Sequence, residues 1–198
     1  MKTLIRKLSL KVELWILASS VVARFDGIVI ADLNNRSPRF PEIMLAALQL
    51  LKTTDPGQYA RVRMRLAWIS CETLAIRGYA QYRHATRRCC IDFLEPSAEY
   101  DAEFLVGWYA STLVHEATHG EIESRGLEYT NDLRSRIEHL CVKQEQKFIS
   151  RLAHTHSDLA HRLYYEFDAS NWQWSWNSTR WEWLHAKLKR ILFQKKQV

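Results

Sequence analysis

His115, Glu116 and His119 stand in the order H-E-x-x-H, within Leu113-Val114-His115-Glu116-Ala117-Thr118-His119-Gly120. Residues four apart share one face of an α-helix, one turn above each other. Two imidazoles so spaced reach one metal ion from a single helix, and the carboxylate between them touches a water at that ion without serving as a ligand. Zinc lowers the pKa of such a water, and a carboxylate in the position of Glu116 removes its proton as the oxygen attacks a carbonyl. The same carboxyl then passes the proton to a leaving amine. The segment predicts metal-assisted amide hydrolysis, with His115 and His119 as ligands and Glu116 as general base.

Two histidines leave such a site one protein ligand short. Eighteen residues after His119 comes Glu138, in Leu133-Arg134-Ser135-Arg136-Ile137-Glu138-His139-Leu140-Cys141. It lies beside Ile137 and one turn before Cys141, on the border of an apolar helical stripe. A carboxylate directed at a core needs a partner, and a buried metal is one. Other candidates fit less well. Glu121 and Glu123 follow too closely, Asp132 lacks a Gly-Thr-x-x-x-Asp setting, and a metzincin needs glycine at 122 and histidine at 125, where Ile122 and Arg125 stand.

H-E-x-x-H, eighteen residues and then Glu resembles the gluzincin branch of the zinc metallopeptidases, the group of thermolysin and the aminopeptidase N family. The resemblance spans about residues 104–145. It implies one zinc per chain on His115, His119 and Glu138, with Glu116 as base and a peptide or protein as substrate. Val142 stands where thermolysin-type enzymes carry a second carboxylate, and the Gly-x-Met-Glu-Asn signature of the aminopeptidases is absent, so substrate preference does not transfer. A donor for the developing oxyanion is also expected. Tyr129, Arg134, Arg136 and His139 are near the metal helices in sequence; Tyr129 and His139 are the preferred donors, and Arg134 and Arg136 the alternative holders of carboxylates behind the ligands.

The elements that must position these groups read as an α+β fold, predominantly α-helical, zincin-like, with a small β-sheet in a single domain over 1–198 and a metal-site core at 101–145. Residues 27–33 are short and β-branched, so they read as a strand. Pro41 opens a helix running to about Lys52. Asp55-Pro56-Gly57-Gln58 is a helix start with cap, proline and capping-box residue. Val62, Leu66, Ile69 and Ile76 continue it at helical spacing to Gly78, leaving Arg61, Arg63 and Arg65 on a solvated face. Cys89–Leu94 reads as a second strand, which by the resemblance is the edge where substrate pairs. Helices follow at 101–119, ended by Gly120, at 131–152 and at 180–193.

The 198 residues suffice for one domain with a real core. The net charge of +6 is moderate, and no nucleic-acid partner is expected. Cys71, Cys89, Cys90 and Cys141 show no metal or disulfide spacing and read as free thiols in a reducing, cytoplasmic setting. The basic start at Lys2, Arg6, Lys7 and Lys11, the apolar run Leu14–Ala23 and Val21-x-Ala23 loosely fit an export signal. Glu13 interrupts the run, so residues 1–24 read instead as an amphipathic first helix. His154, His156 and His161 near Asp158 read as a solvated helix end. Trp172, Trp174, Trp176, Trp181 and Trp183, near Lys187, Lys189, Arg190, Lys195 and Lys196, read as packing for the last helix, with weak membrane-surface contact as the alternative. Asn177-Ser178-Thr179 fits a glycosylation sequon. Two other functions fit the same residues: a zincin relative that binds metal for recognition or regulation without turnover, and a basic, tryptophan-rich surface-binding protein.

Overall fold

The computed structural model describes residues 2–34, 37–76, 79–172 and 180–194. Asn35, Arg36, Gly78, Trp174, Trp176, the sequon, Lys195 and Lys196 lie outside them. The fold is α+β and mainly helical, built around a five-stranded mixed sheet of order β1-β2-β3-β5-β4.

Helix α1 (Lys2–Ser19) leads into strand β1 (Val21–Phe25), so Val21 and Ala23 of the signal-like run belong to the sheet. Strand β2 (Ile28–Asp32) returns antiparallel through Asp26-Gly27, both at positive φ (46° and 89°). That is the mirror-image turn whose twist matches a hairpin, and Asp-Gly is among its preferred dipeptides. Helix α2 (Arg39–Thr54) buries Phe40, Ile43, Met44, Ala47, Leu48 and Leu51, a three-four spacing that makes one apolar face. Asp55 caps helix α3 (Pro56–Arg65) by accepting from the Gln58 N–H at 3.0 Å.

The continuous helix expected to reach Gly78 does not form. Leu66 turns extended (φ −105°, ψ 122°), and Trp68–Cys71 becomes strand β3, parallel to β2 on one side and to β5 on the other. The buried apolar spacing that fits a helix there also fits a strand with neighbours on both sides, and tertiary pairing decides. Nor is Arg65 purely solvated, since it pairs with Glu121 at 2.6 Å. Strand β4 (Ala80–Arg83) and a 3₁₀ turn at His84–Thr86 precede strand β5 (Arg88–Ile91). The 89–94 segment is thus corrected as an edge: β5 is paired on both sides, and β4, antiparallel to it, is the sheet's border.

Helix α4 (Ala102–Ser124) starts on Asp101, which accepts from the Phe104 N–H at 2.7 Å. It does not end at Gly120. It continues for another turn and stops where Gly126 adopts positive φ (78°) and donates to Glu123 O. Helices α2, α3, α5 and α6 and the sheet all pack against α4, which is why its buried residues run almost all round. Helix α5 (Arg134–Leu152) is followed by α6 (Ser157–Leu163), and His154, His156, Asp158 and His161 are exposed. Helix α7 (Arg180–Gln194) docks through Arg190, which donates to Leu74 O and to both carboxylate oxygens of Asp92. Trp183 meets Tyr79, with ring centroids 6.2 Å apart, whereas Trp181 is 79% exposed and packs little. Among the described residues no helix is long and apolar enough to cross a membrane.

Candidate metal centre

The inward stripe of α5 changes character along its length. Its last turns bury Phe148, Ile149 and Leu152, while the turns before them bury Glu138, Cys141 and Glu145 at helical spacing, beside Ile137 and Val142. Those three groups face the stretch of α4 that buries His115 and Glu116. The crossing of the two helices thus gathers into one spot the polar residues that neither could bury alone.

At that spot His115 Nε2 lies 3.0 Å from Glu138 Oε2 and 3.1 Å from His119 Nε2, and His119 Nε2 lies 3.6 Å from Glu138 Oε1. Ligand atoms 2.0–2.2 Å from a tetrahedral zinc stand about 3.3–3.6 Å apart. The two imidazole nitrogens, 3.1 Å apart, come within a few tenths of an ångström of that edge length, and each lies near a different oxygen of Glu138. The side chains of His115, His119 and Glu138 are therefore brought together at one spot. The Cys141 sulfur also lies within 4.8 Å of a ligand nitrogen of each histidine.

Glu116 is buried beside them, and its Oε2 has no hydrogen-bond partner among the described residues. Burial raises its pKa above the usual carboxylate range; His115 and His119 oppose the rise, and Glu138 and Glu145 add to it. Glu138 behaves oppositely. Burial would raise it, but its bonds to His115 and His119 outweigh burial and hold it well below that range. For His115, burial favours the neutral ring, and Glu145 and Glu138 overcome it to push the pKa upward.

Two residues that the sequence reading did not single out complete the arrangement. Glu145 Oε1 pairs with His115 Nδ1, and the Tyr165 hydroxyl donates to Glu145 Oε2 at 2.9 Å. A carboxylate on the far nitrogen fixes the tautomer and orientation of a metal-ligating histidine. Glu145 stands two helical turns after Glu138, and a second carboxylate on the same apolar stripe was the signal that could have marked it.

Tyr129 is brought to the site, with its ring 5.6 Å from that of His119 and its hydroxyl donating to Glu138 Oε1 at 2.5 Å. That bond orients the carboxylate; it is not the posture of an open oxyanion donor. Arg134 lies over the Tyr129 ring at 5.6 Å and lines the cavity. His139 is corrected: one position round the helix from Glu138, it is exposed and packs on Phe167, 5.3 Å between centroids. Arg136 and Asp132 are likewise exposed.

His115 and Glu116 open on two adjoining cavities, of about 290 and 460 Å³, which also share Tyr79 and Ala80. The smaller runs under β4, lined by Ala80, Gln81 and Tyr82, and reaches Trp183. The larger is walled by Phe104, Trp108, Leu163, Tyr164 and Tyr165. Gly120 sets how closely β4 approaches: a Cβ there would stand 2.9 Å from the Tyr82 ring. The residue after His119 is glycine so that the border strand can close on the helix, not to end it. No protein-family model, no curated protein and no solved structure matches this chain.

Proposed function

We propose that the chain is a zinc metallopeptidase of the H-E-x-x-H, gluzincin-like kind, which hydrolyses a peptide bond in a peptide or protein. The observation that carries this reading is the convergence of His115, His119 and Glu138, 3.0–3.6 Å apart, beside a buried Glu116 oxygen without a partner. When bound, zinc supplies Lewis acidity, lowering a water's pKa to about 7 and polarising a carbonyl.

The chain's own residues supply the rest. Glu116 is the base: its unpaired Oε2 is available to accept a proton, and its raised pKa suits it to hold that proton and release it to an amine. Tyr129 keeps the Glu138 carboxylate turned toward the histidines, and Glu145, steadied by Tyr165, does the same for His115. No described strand pairs with the outer edge of β4, so an extended peptide can add there, with backbone hydrogen bonds holding it over the cavity. The 460 Å³ aromatic-walled cavity beside Glu116 takes one of its side chains.

The test is elemental analysis of the purified chain, followed by a peptide-library screen against Glu116→Gln. About one zinc per chain, lost in His115→Ala, is expected, with turnover falling about 10²–10⁴-fold in Glu116→Gln while zinc is retained. A folded chain that takes up no zinc on reconstitution refutes the reading. Retained zinc without cleavage of any peptide would favour a metal-binding protein with a role in recognition.

A further inference from the structure

We propose that Cys141 is itself a ligand of the metal in this site, so that the ion is held by His115, His119, Glu138 and the Cys141 thiolate. This rests on the reading that the site binds a metal, and it changes which side chains do so. Cys141 is fully buried, yet it lies outside the continuous apolar core that takes in Cys71 and Cys89. It sits instead one turn after Glu138, on the stripe that carries Glu138 and Glu145, facing α4. Its sulfur lies within 4.8 Å of both ligand histidines. Between the same two helices Glu116 Oε2 is buried without a hydrogen-bond partner among the described residues.

Cys141 lines neither cavity, so its sulfur approaches from the interior side. The side facing β4 stays available to water and substrate, as in zinc sites that expand to five ligands during reaction. Coordination replaces the S–H bond by an S–metal bond and releases one proton to solvent. Two imidazoles, a carboxylate and a thiolate form a donor set that selects zinc over magnesium, calcium or manganese, which prefer oxygen.

The experiment reconstitutes the full chain with Co²⁺ alone and records its near-ultraviolet spectrum. A thiolate-to-cobalt charge-transfer band is expected in the wild type and in Cys90→Ser. Cys141→Ser should lose the band and bind cobalt about tenfold or more weakly. Cobalt bound without the band, or a band that survives in Cys141→Ser, overturns the role of Cys141 and leaves the metal site standing. Failure of the folded wild type to bind cobalt or zinc overturns both. Should Cys141→Ser not fold, zinc X-ray absorption of the wild type decides, because a shell without sulfur at about 2.3 Å excludes the thiolate.

Discussion

Two of the clusters in which the described residues pair ionised groups are built on opposite principles. Between α1 and the outer face of the sheet, Glu13 and Glu72 meet Arg83 and Arg88. Arg88 pairs with Glu13, and the remaining contacts span 3.6–3.7 Å. Ser70 adds a hydroxyl to Glu72 at 3.0 Å. Two carboxylates face two guanidiniums, and the cluster is balanced by its own residues. Between α4 and α5, three carboxylates (Glu116, Glu138 and Glu145) face two imidazoles, and Glu116 keeps an unpaired oxygen. The first cluster is balanced in charge and fastens α1 to the sheet, although Arg83 Nε and Arg88 Nε have no hydrogen-bond partner among the described residues. The other holds more carboxylates than imidazoles and one spare acceptor, which under the proposed function is where a cation binds.

Breaking each cluster should therefore give opposite signs. Arg88→Ala removes the buried guanidinium of the cluster and leaves Glu13 and Glu72 with Arg83 alone at 3.6 and 3.7 Å, and we expect a loss of about 1–3 kcal/mol in denaturant-unfolding stability. Glu116→Gln removes a buried charge whose Oε2 lacks a hydrogen-bond partner among the described residues. The ionised form of a group whose folded pKa is raised subtracts stability above its unfolded pKa, so metal-free Glu116→Gln at neutral pH should be more stable, by about 1 kcal/mol. Equal destabilisation by both variants would remove the distinction between the clusters.

This contrast also explains what the sequence could convey. His115, Glu116 and His119 are legible because one helix sets their spacing, and Glu138 because it interrupts an apolar stripe with a charge. Asp26-Gly27 is an equally local signal for a hairpin. What depends on pairing between distant segments is not local. The stretch 66–71 satisfies helical and strand patterns alike, and only β2 and β5 on either side decide. The edge passes from β5 to β4 because β3 takes the other side of β5. The partnership of Glu13 with Arg88, 75 residues apart, leaves no trace in either neighbourhood. Gly120 shows the same limit, since its local meaning is a helix end and its actual role is set by Tyr82.

The comparison sharpens at Glu145. If it orients His115, Glu145→Gln should lower zinc affinity about 10–100-fold, measured by competition with a chelator, with the fold intact. The matching change in the balanced cluster, Glu72→Gln, should leave affinity within about twofold of wild type, since a residue outside the ligand-orienting shell lacks that leverage. An unchanged affinity in Glu145→Gln would make it a packing residue and weaken the site's design.

The smallest expected effect is on pH dependence. Burial would raise the pKa of Glu72, but the Cys90 thiol, Arg88, Arg83 and Ser70 outweigh it and hold that pKa below its ordinary value of 4.5. For an acid with a depressed folded pKa, the stabilisation is complete above the unfolded pKa and drains away as pH falls through the folded one. The stability difference between wild type and Glu72→Gln should thus be constant from neutrality to about pH 5 and shrink below that. The shrinkage is about 1.4 kcal/mol per unit of depression. Chemical unfolding at stepped pH measures it. A difference that stays flat through the acid range would mean that the guanidiniums hold the Glu72 side chain by shape and hydrogen bonding alone, and that the balanced cluster is not electrostatic in origin.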